Sequence, residues 1–304
     1  MHYLFESQNP ALAQQTLGSV ETLSFRGLGL TPIDCVVLSH VIRLCDTIKY
    51  LDLVNCRIQC EGLQRLGPAL HKCQDLRLGG NNLGDSGVKL VSAALRNPDC
   101  KIQTLWLEYV GLTDSGAEDL TSALSTNHTV TVLWLSDNEL GDSGVKLVSA
   151  ALRKPDCKIQ RLGLDSVGLT DSGAEDLASA LSTNPSLTEL NLHGNKLGDS
   201  GVKLVSAALR NPDCKIQRLK LDSVGLTDSG AEDLVSALST KPSLMWLYLT
   251  GNSLTDRCVP ALRDLILTLP RLELIGLGEN KFSPTGKKEL RSLQEPRPGL
   301  KMFV

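Results

Sequence analysis

The sequence predicts an α/β solenoid of about ten stacked units, with a parallel β-sheet on a concave face and α-helices on a convex face. Three observations predict it. Leu-Gly-Asp-Ser-Gly-Val-Lys-Leu-Val-Ser-Ala-Ala-Leu-Arg occurs three times, from Leu83, Leu140 and Leu197, and Val-Gly-Leu-Thr-Asp-Ser-Gly-Ala-Glu-Asp-Leu interleaves with it from Val110, Val167 and Val224. Self-similarity at such periods marks stacked supersecondary units. Paired apolar residues recur at Leu23, Leu51, Leu76, Leu105, Leu133, Leu162, Leu190, Leu219, Leu247 and Ile275, at spacings of 28, 25, 29, 28, 29, 28, 29, 28 and 28. Within each unit the apolar pattern changes from alternation to a helical period, and no spacer is long enough to hide another domain.

Each unit opens with a strand. In the fifth, Leu133 and Leu135 point inward while Val132, Trp134 and Ser136 point outward, the two-residue alternation of extended chain. Asn138 follows, and Asn81, Asn195, Asn252 and Asn280 hold the same place in their units. A buried amide there satisfies backbone groups of the turning chain. Val110, Val167 and Val224 take this position in the other subtype, and Cys56 in the second unit.

The helix comes next. Leu90, Val91, Ala94 and Leu95 form an apolar stripe, with Lys89, Ser92 and Arg96 expected to face away. Ser115 with Glu118, Ser172 with Glu175 and Ser229 with Glu232 read as capping boxes. Asn97-Pro98, Asn184-Pro185 and Lys241-Pro242 end their helices, because proline disfavours helical geometry in the residue before it. Strands stack about 4.8 Å apart and helices need roughly 8–10 Å, so the stack should bend by about 20–25° per unit. Ten units would trace an open horseshoe of somewhat more than half a turn.

Composition narrows the function. Of 304 residues, 41% are apolar and the formal charge is −3. Apolar runs such as Val36-Val37-Leu38 fall far short of a membrane span. Nucleic acid is not indicated, since phosphate binding draws on clustered Lys and Arg. The opening Met1–Ser7 lacks the basic stretch and apolar core of a secretory leader. Nine cysteines cannot pair completely within one chain; Cys100, Cys157 and Cys214 recur with the repeat, and Cys56 and Cys60 form a lone Cys-x3-Cys. Reduced thiols in a cytoplasmic compartment are therefore expected, and Asn127-His128-Thr129 is read as a chance sequon. The five histidines are scattered, and paired carboxylates such as Asp165 with Asp222 follow from the repeat itself. No catalytic residue, metal ligand or cofactor is expected in this chain.

The Leu-x-Leu-x-x-Asn frame at Leu133–Asn138, the Gly-Asp-Ser-Gly-Val-Lys-Leu run and the Pro-Asp-Cys-Lys before the next strand resemble the leucine-rich repeats of the ribonuclease-inhibitor subtype, from about Thr22 to Lys281. The near-identical units look most like the C-terminal sensor domain of the NLR (NACHT/leucine-rich-repeat) innate immune receptors, especially the expanded fish-type ones. Leu4-Phe5-Glu6-Ser7-Gln8 looks like the helical segment that joins the nucleotide-binding module of those receptors to their repeats. The expected organisation is a flanking helical segment at 1–20, repeats at 21–286, and a cap at 287–304 with a last short strand. The resemblance implies a fragment, since no Gly-x-x-x-x-Gly-Lys-Ser/Thr phosphate loop occurs here. The implied partner is a protein or pathogen-derived ligand, or the missing nucleotide-binding module of the same receptor. Ribonuclease inhibitor itself is longer and far richer in cysteine.

The expected contact surface is the concave face. Its candidates are Tyr50, Arg77, Trp106, Tyr109, Trp134, Asp137, Arg161, Asn191, His193, Lys220, Trp246 and Tyr248, which include all three tryptophans. Convex Lys89, Lys146 and Lys203 are identical between repeats. The concave triplets differ: Asp75, Arg77, Gly79; Val132, Trp134, Ser136; Glu189, Asn191, His193; Trp246, Tyr248, Thr250. Change concentrated on one face is the mark of a recognition surface. The expected function is noncatalytic ligand sensing, protein interaction or autoinhibition in a cytosolic receptor. The alternatives are a free-standing cytosolic repeat protein that inhibits an enzyme or activates a GTPase, and a consensus-designed repeat scaffold.

Overall fold

The structure is a computed structural model that describes residues 20–304. The flanking segment expected at 1–20, with Leu4–Gln8, lies outside the described residues but for its last one. The chain divides into two compact units, Met1–Glu139 and Leu140–Val304. The first contains β1 (Thr22–Ser24), α1 (Pro32–Leu44), β2 (Ile48–Asp52), α2 (Cys60–Leu70), β3 (Cys73–Arg77), α3 (Gly84–Leu95), β4 (Thr104–Trp106), α4 (Asp114–Leu124) and β5 (Val132–Trp134). The second contains α5 (Gly141–Leu152), β6 (Arg161–Gly163), α6 (Ala174–Thr183), β7 (Glu189–Asn191), α7 (Gly198–Leu209), β8 (Arg218–Lys220), α8 (Asp228–Leu238), β9 (Trp246–Tyr248), α9 (Val259–Thr268), β10 (Leu274–Gly276), α10 (Pro284–Ser292) and β11 (Lys301–Phe303).

In both units every strand pairs in parallel with the next in chain order. Leu23, Leu51, Leu76, Leu105 and Leu133 align across the strands of the first unit, and Leu162, Leu190, Leu219, Leu247 and Ile275 across those of the second. Within each unit the predicted anchors thus share one register, and from Leu51 onward all are fully buried. An eleventh strand, β11, follows α10, a helix that runs across the expected boundary at residue 286.

Helix faces follow the apolar stripe with one correction. In α3, Val88, Val91, Ala94 and Leu95 are buried, whereas Leu90 is only half-buried and Ser92 is fully buried. Ser92 was expected to face away. A neighbouring helix packs on that flank, and the Ser92 hydroxyl donates to the Val88 carbonyl at 2.9 Å, which lets a small polar side chain sit inside the contact.

The capping boxes also need correction. Helix α4 starts one residue before Ser115, and its N-cap is Thr113; α6 is capped by Gly173 and α8 by Thr227. What holds these helix starts is an aspartate one unit back. Asp85 accepts from the Thr113 N–H and hydroxyl at 2.8 Å each. Asp142 does the same for Thr170, and Asp199 for Thr227. Each aspartate lies in the first turn of its own helix, where the macrodipole favours a carboxylate. The carboxylate links two units, so the serine three residues before the glutamate is not needed as a cap.

The asparagine positions behave as their spacing requires. The Asn138 amide donates to the Leu107 and Leu135 carbonyls at 2.7 and 2.8 Å, and its oxygen accepts from the N–H groups of Val110 and Leu112 at 3.1 and 3.0 Å. Asn195 and Asn252 repeat the pattern one and two periods later. A second ladder grips helix ends: Asn184 donates to Leu152 O at 2.7 Å, and the buried Lys241 ammonium to Asn211 O and Cys214 O at 2.6 and 2.8 Å. The sequon residue Asn127 belongs to it, donating to Leu95 O and accepting from the N–H groups of Thr129 and Val130.

Asn138→Ala would strand buried groups in two neighbouring units. A loss of at least about 2 kcal/mol is expected, because each buried orphan costs about 1–3 kcal/mol. Asn82→Ala, at an exposed position of the same loop series, should stay within about 0.5 kcal/mol. Urea midpoints of the two variants, compared at equal slope, check this.

Candidate functional site

The alternation that buries the leucines sends their neighbours to the face of the sheet away from the helices. In the first unit, β2–β5 bring four expected residues together: Tyr50, Arg77, Trp106 and Trp134. Arg77, Trp106 and Trp134 share one register. The Arg77 guanidinium lies 4.8 Å from the centre of the Tyr50 ring and 4.7 Å from that of Trp106. Trp106 then stacks on Trp134, with ring centroids 5.4 Å apart and an interplanar angle of 15°. This is a continuous column of aromatic rings and one cation, with cation–π contacts worth about 0.5–1 kcal/mol each where partly exposed. The indole N–H groups of Trp106 and Trp134 are buried and meet no acceptor among the described residues.

Two aspartates outside the candidate set position the column: Asp75, which the sequence places on the concave face, and Asp52, which it does not single out. Asp75 holds the Arg77 fork through bonds of 3.2 and 3.1 Å, and this pairing, first among the causes, keeps the guanidinium pKa raised. Asp52, which is buried, accepts from the Tyr50 hydroxyl, from Arg26 Nε and from the Val54 N–H, each at 3.0 Å. Burial alone would raise its carboxyl, but these donors outweigh it and hold the pKa below the usual range. Burial, with the bond to Asp52 second, pushes the Tyr50 phenol up. The available signal was positional: Asp75 sits one residue before the buried Leu76, as Thr104 and Val132 sit before theirs.

In the second unit, β6–β9 place Arg161, Asn191, Lys220, Trp246 and Tyr248 on the equivalent face. Arg161, Glu189, Arg218 and Trp246 form one row, and Asn191, Lys220 and Tyr248 another. Arg218, absent from the expected set, lies 4.1 Å from the Trp246 ring centre and 3.3 Å from Glu189. The Lys220 ammonium lies 5.6 Å from the Tyr248 ring centre. Trp246 Nε1 donates to Glu273 at 3.4 Å, and burial pushes the Tyr248 phenol up. Arg161 is exposed, and exposed His193 stands in the loop after β7.

Several expectations need correction. Asn191 is buried, its amide donating to Asp165 at 2.8 Å, and Glu189, Val132 and Ser136 are buried too. Side chains on strands about 4.8 Å apart cover one another, so facing away from the helices is not the same as facing solvent. Tyr109 and Asp137 are not strand residues. They lie in the loops after β4 and β5 with positive φ of 51° and 56°, and Tyr109 is 71% exposed.

Comparison with known proteins identifies the units. The family model described as Leucine Rich repeat matches residues 45–67, 74–92, 126–149 and 183–206. NACHT, LRR and PYD domains-containing protein 3 of Rattus norvegicus is 39% identical over 272 residues, 84% of this chain and 26% of the relative. Protein 12 of the same series from Mus musculus is 43% identical over 241 residues, covering 77% of this chain and 23% of the relative. Ribonuclease inhibitor of Mus musculus is 33% identical over 265 residues, covering 87% and 58%. These are leucine-rich repeats of the ribonuclease-inhibitor subtype. The repeat domain resembles the sensor domains of NLR proteins, and it spans about a quarter of the length of the NACHT relatives it matches.

Among the described residues, no group of three or more His, Cys, Asp and Glu side chains converges to hold a metal ion, and no helix is long and apolar enough to cross a membrane. None of the nine cysteines is in a disulfide among the described residues, and eight are buried. Burial pushes the Cys73 and Cys258 thiols up to about 12 and Cys35 to about 11, so these stay protonated and unreactive near neutrality. Only Cys60 is partly exposed. Ellman's reagent at pH 8 should therefore titrate about one thiol rapidly in the folded protein and all nine in guanidinium. Fast reaction of several thiols in the folded state would contradict this burial pattern.

Proposed function

We propose that the chain is a noncatalytic recognition domain of a cytoplasmic NLR-type innate immune receptor. Its strand face contacts a protein or pathogen-derived ligand, or restrains the nucleotide-binding module of the same receptor. One observation carries this reading. Helices α3, α5 and α7 share the sequence Gly-Asp-Ser-Gly-Val-Lys-Leu-Val-Ser-Ala-Ala-Leu, while the residues of the same repeats that alternate with the buried leucines differ throughout: Asp75, Arg77 and Gly79, then Val132, Trp134 and Ser136, then Glu189, Asn191 and His193. Duplication followed by unbiased drift would have altered both faces. Aromatic rings and arginines on a rigid sheet are the groups that supply anchors in protein interfaces. The match to NACHT-containing relatives over 84% of the chain supports the receptor context.

A second reading is a free-standing enzyme inhibitor, favoured by the larger share of ribonuclease inhibitor that the chain covers. The full-length transcript separates the two, since an adjoining phosphate-loop module belongs to the first reading alone. Titration of pancreatic ribonuclease with the purified chain tests the second directly.

With the adjoining module as partner, Trp134→Ala and Tyr248→Ala should each weaken binding by about 2 kcal/mol or more if they are anchors. Folding stability should fall by roughly 1 kcal/mol or less, the scale of a cross-strand contact. Lys146→Ala, on an exposed helix face, should change neither. Affinity and melting temperature of the three variants decide the matter. Loss of binding in Lys146→Ala with normal binding in both aromatic variants would move the contact to the helices.

A further inference from the structure

We propose that a cleft on the strand-to-helix loops of the first unit binds an arginine side chain carried by a protein partner. The cleft has a volume of about 450 Å³, within the range of about 300–1,000 Å³ usual for ligand sites. The loops after β3, β4 and β5 build it. Asn81 and Asn138 form part of its lining, and both amides are committed to backbone groups, so this part of the wall is rigid. Gly80 and Gly111 contribute no side chain to fill the space.

Three side chains give the cleft its chemistry: Tyr109, Asp137 and Glu139. All three are exposed, and neither carboxylate forms an ion pair among the described residues. An exposed phenol ring beside two unneutralised carboxylates, in a recess, is complementary to a planar cation. A guanidinium stacks its face on the ring and presents a fork of N–H donors to carboxylate oxygens. The recess also focuses the negative field of the two acids toward its mouth.

The repeat supplies an internal control. One period of 57 residues later, Ser166 replaces Tyr109, Gly194 replaces Asp137 and Lys196 replaces Glu139; two periods later the residues are Ser223, Gly251 and Ser253. The loop backbone is unchanged across this series. Ser166 and Ser223 keep the positive φ of Tyr109, Gly194 and Gly251 that of Asp137, and Asn195 and Asn252 keep the bonds of Asn138. The fold therefore requires none of the three side chains, yet here all three residues line one cleft. The site is separate from the strand-face column, so failure of the recognition reading at Trp134 would leave it standing.

The test uses the whole chain with its four tyrosines labelled with carbon-13 and N-acetyl-arginine amide as the probe. The expected result is a saturable shift of the Tyr109 ring signals at millimolar probe, weakening with added salt, and no such shift with N-acetyl-glutamine amide. The variant Y109S/D137G/E139K installs residues that the same backbone already carries, so it should fold, as circular dichroism will verify. The double variant D137N/E139Q keeps the ring and should bind about five-fold more weakly or worse. For the triple variant, backbone amide shifts of residues 80–82 and 137–139 replace the lost ring signal and should not respond. Absence of a saturable Tyr109 shift in the native chain, an equal response to the glutamine probe, or unchanged affinity in D137N/E139Q would each overturn the proposal.

Discussion

The structure depends on one requirement: the chain must turn from strand to helix inside a stack, where water cannot satisfy its backbone. From Asn81 to Asn252 one asparagine per two repeats meets it, and Asn280 adds another in the repeat that follows. The amide of Asn138 reaches carbonyls of its own unit and the preceding one, and its oxygen takes two N–H groups of that preceding turn. Four hydrogen bonds from one side chain are possible because a carboxamide carries two donors and two acceptor lone pairs. The valine of the alternate subtype is tolerated because its turn is served by the next asparagine along. The alternation of subtypes is thus a consequence of hydrogen-bond supply.

The aspartate–threonine links and the helix-end clamps extend the same logic. Asp85 to Thr113, Asn184 to Leu152 and Lys241 to Asn211 all connect neighbouring units through buried or half-buried polar groups. A group of this kind is expensive to leave unpaired, so each unit specifies the position of the next. Stability in such stacks accumulates as nearest-neighbour terms. Side chains outside these links are then free to diverge without loss of fold. They lie on the strand face and on the exposed loops, where the repeats differ most.

On the strand face, divergence has produced organised chemistry. Arg77 sits between two aromatic rings while Asp75 holds its fork, and Arg218 lies over Trp246 while Glu189 holds its charge. Each arginine is fixed by a carboxylate and flattened on a ring, which removes much of the rotamer entropy that a free arginine would lose on binding.

The sequence by itself determined the strand register, the helix stripes, the asparagine positions and the existence of two faces. Each follows from a local period: two residues for a strand, 3.6 for a helix, 57 for the pair of subtypes. The aromatic strand-face residues were legible for the same reason, since alternation with a buried leucine sets their direction. Tertiary structure decided what periodicity does not encode. Ser92 is buried because a neighbouring helix covers it, and Asn191 because it lies between two paired strands with its amide held by Asp165 of the preceding repeat. Asp85 caps a helix 28 residues away, a partnership that no window of one unit contains. Tyr109 and Asp137 left the strand face because the chain enters the left-handed region as it turns, carrying them into the loops. Burial, capping and the cleft chemistry all arise between units, and contact between units exists only once the stack is built.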